Sequence, residues 1–393
     1  MDKKVIVILY EFFYPGYKAG GPIQSLVNMV QLLEPYFVCK VITTAYDLNT
    51  PTMYTSMQPD SWNTVQLPAT GSLPIDIWYD SEQKPSLRKL HRAIVSSEAD
   101  VLFINGFYTH HFLFPLILRK LNLVNIDCMV VSPRGMLQKG ALAIKPIQKK
   151  IYLSVLRIFG LCKKVVFHAT TEDEATDIRH VFGKGAMTIV AGNVPKLPWS
   201  SISTVKKVPG VLNLVYLSII TPKKNLLLLL KELKGCKGSV NLYIYGPVKE
   251  DWYWKKCMEE MQVMPPNVLF EYMGHIPAHE VQDTLSKYDA MILLTEGENF
   301  GHALYESLSV GTPIITSLYT PWTRLTEQSA GWNVEIGQEK NHTFRQLIDH
   351  LVLKENIEWL QWREGALKMA SGYYYGQSFK NEYMELFDGK SHS

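Results

Sequence analysis

Short apolar segments alternate with helical patterns along this chain, and the alternation runs twice. In the first half the strand candidates are KVIVIL, FVCKVITT, DVLFIN, CMVVS and KVVFHAT, separated by helical patterns such as HHFLFPLILRKL. In the second half LNLVYLS, VNLYIYG, VLFEYMG and AMILLTEG alternate with NLLLLLKELKG, DWYWKKCMEEM and AHEVQDTLSKY. Strands that alternate with helices predict parallel sheets covered by helices on both faces.

The length of 393 residues exceeds the usual size of a single core, so we expect two domains. A stretch rich in Pro, Ser and Gly follows Val190 and lacks periodicity. We predict an N-terminal domain at 1–195, a linker at 196–211 and a second domain at 212–372. A C-terminal helix at 373–393 is expected to pack back on the first domain. Two doubly wound domains facing a central cleft would bind a ligand at the carboxyl ends of their strands.

Composition and motifs exclude several classes of protein. The formal net charge of +3 and the lack of a recognition motif give no reason to expect nucleic acid. The five cysteines include no Cys-x-x-Cys pair, which favours a reducing compartment. The first apolar run ends at Glu11, and no run of 18 apolar residues follows. We therefore expect a cytoplasmic protein.

No fingerprint of a bound cofactor or metal is present. The sequence lacks a G-x-G-x-x-G after the first strand, a Walker A segment, G-x-S-x-G and H-E-x-x-H. It also lacks any Asp-x-Asp pair, the motif through which a metal often bridges a diphosphate. We expect neither a cofactor nor a metal ion.

The segment EGENFGHALYESLSVGTPIITS connects a buried strand to a short helix. Backbone N–H groups of Phe300, Gly301 and His302 are expected to be unpaired at the helix start, where they can bind a phosphate. Glu298 and Glu306 would accept hydrogen bonds from hydroxyl groups on either side of it. This arrangement predicts a nucleotide sugar as ligand. The alternative is that both glutamates are ordinary surface residues.

This segment resembles the E-x7-E motif of glycosyltransferase family 4, a retaining family with the GT-B fold. The resemblance extends to SPRGML, HATTEDEATDIR, ITPKKN, LYIYGP, TPW and AGWNV, in the expected order over most of the chain. It implies that Glu306 holds the ribose, that Glu298 contacts the donor sugar, and that the backbone around Gly301 holds the phosphate.

The resemblance implies further site residues. Lys224 matches the lysine that binds the diphosphate, and Asn225 is expected to cap the helix that follows. Glu298 and Lys224 are the catalytic candidates. The donor-binding candidates are Glu306, Asn299, Phe300, Gly301, Gly20, Gly21, Gly246, His275 and Ile276. For Gly20 and Gly21, in the glycine-rich loop after the first strand, an ordinary turn is the alternative.

Two positions depart from the family pattern. Ile219 stands where the family usually has an arginine on the phosphates, and Lys223 or Arg134 is a candidate substitute. Asn105 stands where close relatives tend to have histidine. The acceptor-side candidates are Asn105, Tyr108, His110 and Arg134, with His111 as a weaker one.

The span from Cys128 to Thr171 contains no Asp or Glu. Its basic residues are Arg134, Lys139, Lys145, Lys149, Lys150, Arg157, Lys163 and Lys164. Apolar and aromatic residues are interleaved with them, so residues 139–164 would suit an anionic membrane surface or a lipid-linked diphosphate acceptor. The alternative is a solvated basic face over an apolar stripe that packs on the sheet.

These observations predict a retaining, metal-independent glycosyltransferase. It would move a sugar from a nucleoside diphosphate to a glycan or a lipid-linked glycan, through front-face attack assisted by the leaving phosphate. A nucleotide-sugar epimerase on the same fold and a non-catalytic nucleotide- or glycan-binding module remain as alternatives.

Overall fold

The computed structural model describes residues 3–67, 73–336 and 341–388. The chain forms two compact units. The first contains Met1–Val194 and Ser378–Ser393, and the second contains Pro195–Gln377. Each unit has its own sheet and its own buried apolar core.

The first unit is built on an eight-stranded sheet. Its strands are β1 (Val5–Leu9), β2 (Val38–Thr44), β3 (Trp62–Val65), β4 (Ile75–Asp80), β5 (Val101–Asn105), β6 (Cys128–Ser132), β7 (Val166–Ala169) and β8 (Thr188–Val190). They lie in the order β3-β4-β2-β1-β5-β6-β7-β8. The central strand β5 is buried along its whole length, as expected for an apolar strand with helices on both faces.

One strand pair departs from the predicted parallel sheet. Strands β3 and β4 pair in antiparallel fashion, whereas the other paired strands of this sheet are parallel. Neither strand was predicted from the sequence. The β3 segment is short and half exposed at the sheet edge, so it lacks the apolar run that marks the other strands.

Helices cover the first sheet. They are α1 (Gly21–Leu33), α2 (Leu87–Ser97), α3 (His110–Lys120), α4 (Lys139–Ala143), α5 (Pro146–Ile158) and α6 (Glu172–Phe182). The Ser86, Thr109 and Thr171 side chains cap α2, α3 and α6 by accepting a hydrogen bond from the backbone three residues on.

The second unit has a six-stranded sheet, parallel throughout. Its strands are β9 (Val211–Leu217), β10 (Ser239–Tyr245), β11 (Val268–Gly274), β12 (Ala290–Leu293), β13 (Ile314–Ser317) and β14 (Gly331–Val334), in the order β11-β10-β9-β12-β13-β14. Its helices are α7 (Leu226–Leu233), α8 (Asp251–Met261), α9 (Val281–Leu285), α10 (His302–Leu308), α11 (Asn341–Leu353) and α12 (Asn356–Gly376).

The segment predicted as a linker packs on the second unit. The Trp199 backbone N–H donates to the Ser309 carbonyl over 2.8 Å. Ile202 lies so close to Gly311 that a β-carbon there would be 2.8 Å from it. Lys207 is 2% exposed, and its ammonium donates to nearby carbonyls. These contacts attach the residues before β9 to the unit that follows them.

The last described helix, α13 (Phe379–Asp388), belongs to the first unit. The Phe387 ring packs edge-on against Phe103 of β5, and the Tyr383 ring packs against His168 of β7. This helix was predicted to begin at residue 373, which lies inside α12, and residues 389–393 lie outside the described residues. None of the helices in the described ranges is both long and apolar enough to span a bilayer.

Candidate active site

Each sheet has one point at which the order of its strands reverses. In the first sheet the reversal falls between β1 and β5, and in the second between β9 and β12. Ligands of open parallel sheets bind beyond the carboxyl ends of the strands at such a point. The loops that follow these four strands therefore mark the candidate site regions of the two units.

In the second unit, hydrogen bonds join the loop after β9 to the loop after β12. The Asn225 Nδ2 donates to the Leu294 carbonyl over 2.9 Å, and the Glu296 N–H donates to the Lys223 carbonyl over 2.9 Å. The predicted side-chain cap by Asn225 is wrong. Asn225 precedes α7 in a left-handed conformation, with φ 54°, and makes no side-chain capping bond because its amide reaches across to β12.

These joined loops bring the two catalytic candidates together. The Lys224 Nζ contacts the Glu298 Oε1 in a close ion pair. The side chains are only 19% and 18% exposed, so solvent and salt screen the pair less than they would a surface pair. The Glu298 N–H also donates to the Tyr319 carbonyl over 3.0 Å, which fixes the backbone of the loop.

Lys223 places a second ammonium group beside the same loop. Its Nζ lies 3.8 Å from the position that a β-carbon on Gly297 would occupy. The turn Pro222–Lys224 is a single 3-10 turn, which presents both lysines at the end of β9. Two ammonium groups at a strand end suit a diphosphate, because charge-assisted hydrogen bonds to phosphate oxygens are strong.

Glu306 forms the second ion pair of this region, with a lysine that sequence reasoning missed. The Lys196 Nζ lies 3.6 Å from the Glu306 Oε2 and also donates to the Ala278 carbonyl. Glu306 is 6% exposed, and its burial raises the pKa of the carboxyl although Lys196 opposes this shift. Lys196 lies in the segment predicted as a linker, and no sequence signal links it to Glu306.

The residues between the glutamates build a fixed turn. Gly301 precedes α10 with φ 75°, a left-handed conformation that favours glycine. The Phe300 ring packs against Tyr305, Trp322 and Tyr373, and the Trp322 Nε1 donates to the Phe300 carbonyl over 2.7 Å. The Phe300 side chain is therefore structural, and only its backbone remains for a ligand. Asn299 is exposed beside it.

The other donor candidates of the second unit lie at the ends of β10 and β11. Gly246 has φ 133°, and a β-carbon there would lie 1.9 Å from the Ser218 carbonyl oxygen, so backbone packing already requires glycine. Ile276 is 9% exposed and belongs to the apolar core, whereas His275 is exposed. Ile219 is half buried where β9 ends, close to Gly246.

In the first unit, the predicted glycine-rich loop opens α1. Gly20 has φ 75° and immediately precedes the helix, and Gly21 is its first residue. The buried Asp47 carboxylate braces the loop, because it accepts the backbone N–H groups of Tyr17 and Lys18 over 3.1 and 3.2 Å. These two hydrogen bonds anchor the backbone of the loop just before Gly20.

Arg134 lies at the centre of a hydrogen-bonded network in the first unit. Its Nε donates to the Asn105 Oδ1 over 3.0 Å, and its Nη1 donates to the Asn193 Oδ1 over 2.6 Å. The Ser25 Oγ donates to the same Asn193 oxygen over 3.1 Å. The Nη2 of Arg134 is buried without a hydrogen-bond partner. The guanidinium therefore retains donor capacity and a charge that neutral amides do not cancel.

The motifs around Arg134 hold its loop in place. The Glu174 carboxylate accepts the Gly135 N–H over 2.6 Å and the Thr170 N–H over 2.8 Å. His168 bridges the Ser132 hydroxyl and the Ala191 carbonyl, and burial lowers its pKa to about 3. Hydrogen bonds thus connect the segment SPRGML to the segment HATTEDE.

The remaining acceptor candidates differ in burial and in their contacts. His111 is fully buried with a pKa lowered to about 3, so its proposed acceptor role is wrong because no ligand reaches a side chain packed inside the core. His110 is half buried, with its Nδ1 3.2 Å from the Pro85 carbonyl. The Tyr108 hydroxyl is buried without a hydrogen-bond partner, and the Lys149 ammonium lies 5.1 Å from the centre of its ring.

A cavity of about 860 Å³ lies elsewhere in the first unit. Its lining includes Asp100, Cys128 and Val166, which precede or begin strands β5, β6 and β7. It therefore opens at the amino ends of these strands, and the candidate residues at the carboxyl ends do not line it. Within the described ranges, no group of three His, Cys, Asp or Glu side chains is placed to hold a metal ion.

Residues 206–327 match the family model described as Glycosyl transferases group 1. The match includes Lys224, Glu298 and Glu306. No sequence among curated proteins matches the chain.

Solved structures similar to the whole chain are glycosyltransferases of the GT-B fold. HepE from Anabaena, in complex with UDP and glucose, has a TM-score of 0.66 at 14% identity over 98% of this chain and 100% of that one. Sucrose-phosphate synthase from Thermosynechococcus elongatus has a TM-score of 0.66 at 14% identity, over 99% and 100%. WaaG, a glycosyltransferase involved in lipopolysaccharide biosynthesis, has a TM-score of 0.62 at 10% identity, over 99% and 100%.

The predicted fold is therefore confirmed: two parallel-sheet α/β domains of the GT-B type. At such low identities the likeness establishes the fold alone. Taken with the family-model match, it supports a GT-B glycosyltransferase as the class of this protein.

Proposed function

We propose that this chain transfers a sugar from a nucleoside-diphosphate sugar to a glycan or lipid-linked glycan in polysaccharide biosynthesis, with retention of anomeric configuration. The observation that carries the proposal is the Lys224–Glu298 ion pair at the reversal point of the second sheet, inside the segment that matches the family model. The similar HepE structure is a complex with UDP and glucose, so UDP is the first nucleotide to test.

In this proposal the ion pair exchanges partners when the donor binds. Lys224, with Lys223 beside it, turns to the diphosphate and neutralises the charge that develops as it leaves. Glu298 loses its lysine and accepts hydrogen bonds from hydroxyl groups of the donor sugar. The resting pair keeps both side chains in place before the donor arrives, which lowers the cost of ordering them.

Glu306 accepts the ribose hydroxyl groups, and Lys196 positions it. The contact with Lys196 keeps the buried carboxyl ionised more readily than burial alone would allow. An ionised carboxylate is an acceptor only, which matches two neighbouring hydroxyl donors. The backbone around Gly301 contributes further phosphate contacts, and the residues at the site need no metal ion for this role.

The acceptor binds at the strand ends of the first unit. Arg134, which hydrogen-bonds to Asn105, would bind it through its buried and unpartnered Nη2, and Asn105, His110 and Tyr108 are further candidates. An arginine of this kind suits an anionic acceptor group such as a phosphate. The similarity to WaaG, a glycosyltransferase involved in lipopolysaccharide biosynthesis, favours a lipid-linked glycan.

A ligand panel tests the proposal. Nucleoside diphosphates and their sugars are added to the whole protein, and the melting temperature is measured, because binding to the native state raises apparent stability. For the nucleotide that binds, NMR then gives the anomeric configuration of the product with and without acceptor glycans. Binding of no nucleotide, or an inverted product, contradicts the proposal.

Ile219 favours one rival, a non-catalytic nucleotide-binding module, since one phosphate cation of the family pattern is missing. Such a module would bind the nucleotide sugar but would catalyse neither transfer of the sugar nor even slow hydrolysis of the nucleotide sugar. An epimerase instead yields a changed nucleotide sugar without acceptor, and the same NMR spectra distinguish it.

A further inference from the structure

Helix α5 has two apolar faces, and only one of them packs on the first unit. Leu153 and Leu156 are 8% and 0% exposed and belong to the core. On the opposite face lie Ile147, Ile151, Val155 and Ile158, which are 73%, 60%, 41% and 78% exposed. Their spacing of four, four and three residues places them in one row, which we call the α5 ridge.

The α5 ridge continues beyond both ends of the helix. Ile144 precedes the helix and is 65% exposed, and Phe159 follows it and is 62% exposed. Apolar side chains scattered singly on a surface are normal, but a contiguous row of large ones marks an interaction surface. The alternative interpretation of the sequence, in which the whole apolar stripe packs on the sheet, is therefore wrong for this row.

Helix α2 shows that covering this sheet does not require such a row. It buries Leu90, Ala93 and Ile94 against the core, as α5 buries its leucines. Its outer face exposes Arg88 and Arg92, with Val95 as a lone apolar residue. The two helices share a role in the fold, so the outer face of α5 needs another explanation.

Basic residues surround the α5 ridge. Lys145, Lys150, Arg157, Lys163 and Lys164 are all exposed, and the sequence has no acidic residue between Cys128 and Thr171. Lys150 and Arg157 lie along one flank of the helix, and Lys163 and Lys164 follow its end. The side chain of Lys139 is outside the described residues.

We propose that the α5 ridge and its flanking cations bind the surface of an anionic lipid bilayer. The helix would lie in the plane of the interface, with the isoleucines among the headgroups and the cations against anionic lipids. The charge of this segment selects the occupant, because a row of apolar side chains flanked by cations, in a stretch of sequence without Asp or Glu, complements a negative surface. The proposal is independent of sugar transfer.

Vesicle sedimentation of the full chain tests it. We expect binding to vesicles with phosphatidylglycerol, little binding to pure phosphatidylcholine, and loss of binding as salt rises. Ile147→Ser combined with Ile151→Ser should weaken binding at least about tenfold, because apolar burial contributes much of the affinity. Lys145→Gln combined with Lys150→Gln should weaken it by roughly fivefold for each charge.

Ile357→Ser is the matched control, since Ile357 on α12 is also 73% exposed and lies in the second unit. It should bind vesicles like the wild type, and all variants should keep the melting temperature of the wild type. Equal binding to neutral and anionic vesicles, or binding unchanged in the α5 variants, overturns the proposal. So does a wild-type dimer that these variants dissociate without any effect of lipid, because α5 is then a contact between copies.

Discussion

The candidate sites of the two units both contain cations, but the two units hold these cations differently. In the second unit Lys224 and Lys196 each contact a carboxylate, from Glu298 and Glu306. In the first unit Arg134 is held by the amide oxygens of Asn105 and Asn193, which carry no charge. The available carboxylate nearby, Glu174, binds backbone N–H groups instead.

This difference distinguishes cations that are paired with carboxylates from a cation that is not. A lysine paired with a carboxylate offers an anionic ligand little net charge until the pair opens. An arginine held by neutral amides keeps its full charge and one unpartnered donor group. We infer that donor binding in the second unit exchanges ion pairs, whereas the first unit can bind an anionic group without such an exchange.

The largest expected effect comes from removing Lys224, the lysine that would exchange Glu298 for the diphosphate. Lys224→Ala should lower kcat about 10²–10³-fold, the usual cost of losing one group that stabilises developing negative charge. UDP affinity should fall as well, measured by calorimetry. Lys231→Ala, on the exposed face of α7, is the control and should behave like the wild type. Unchanged UDP affinity in Lys224→Ala would show that the phosphates are held elsewhere.

The second-largest effect concerns the other ion pair. Glu306→Gln should weaken nucleotide binding by about 1.5–3 kcal/mol, because the ribose loses a charge-assisted partner. Glu327→Gln is the control, since Glu327 pairs with Arg324 on the surface. If calorimetry gives the same affinity for the Glu306 variant as for the wild type, Glu306 has a purely structural role.

Because burial raises the pKa of Glu306, this carboxylate should become protonated at a higher pH than the carboxylate of an ordinary glutamate. As the pH falls through the raised pKa, uridine affinity should therefore fall in the wild type but not in Glu306→Gln. Uridine is the ligand of choice here because it has no phosphate to titrate. Above that pKa the buried charge costs stability, and this cost disappears as the pH falls, since the native state then takes up a proton that the unfolded chain does not.

Local sequence was sufficient for the fold class and for the placement of the Glu298 loop after a buried strand. Strands β9 and β10 of the second unit are seven-residue segments rich in apolar residues, and the E-x7-E segment contains its own turn residue in Gly301. Lys224 was predicted as well, because ITPKKN resembles the corresponding segment of the glycosyltransferase family. Each of these features depends on residues close together in the chain, where periodicity or resemblance to a family motif is informative.

The missed features depend on residues distant in sequence. The partner of Glu306 is Lys196, which lies in an aperiodic segment far from it in the chain. Asn225 was predicted to cap α7, but its amide bonds to Leu294 at the end of another strand. The sequence also did not decide which face of α5 packs on the sheet, since apolar residues on a helix do not show which of them the sheet covers.

The third effect tests the cation that has no carboxylate partner. Arg134→Ala should raise the acceptor KM roughly 10- to 100-fold and leave UDP affinity unchanged, because losing one hydrogen bond to a charged group costs roughly 1.5–3 kcal/mol. Arg134→Lys should recover only part of the loss, since an ammonium does not match two amide oxygens and a ligand at once. Arg88→Ala on α2 is the control. A change in donor KM alone would contradict the comparison.

The fourth effect adds a cation to the second unit. Ile219→Arg should tighten UDP binding several-fold, because a guanidinium clamps phosphate oxygens in bidentate fashion. When combined with Lys224→Ala, it should restore part of the UDP affinity that the loss of Lys224 removes. Ile219→Met changes the side chain without charge and should have no effect on UDP affinity. An Ile219→Arg variant that folds like the wild type and binds UDP no better would show that this position does not face the phosphates.

The last prediction is that adding a chelator has no effect on the rate of sugar transfer. Lys223 and Lys224 supply two positive charges at the end of β9, and the sequence has no Asp-x-Asp pair to hold a metal on a diphosphate. If these lysines neutralise the leaving group, sugar transfer should proceed at the same rate in excess EDTA as in magnesium. The Lys224→Ala variant sharpens the test, because added magnesium should fail to rescue it. A rate abolished by EDTA and restored by magnesium would mean that a metal ion takes the role assigned to the lysines, and the exchange of ion pairs would no longer explain how the donor is held.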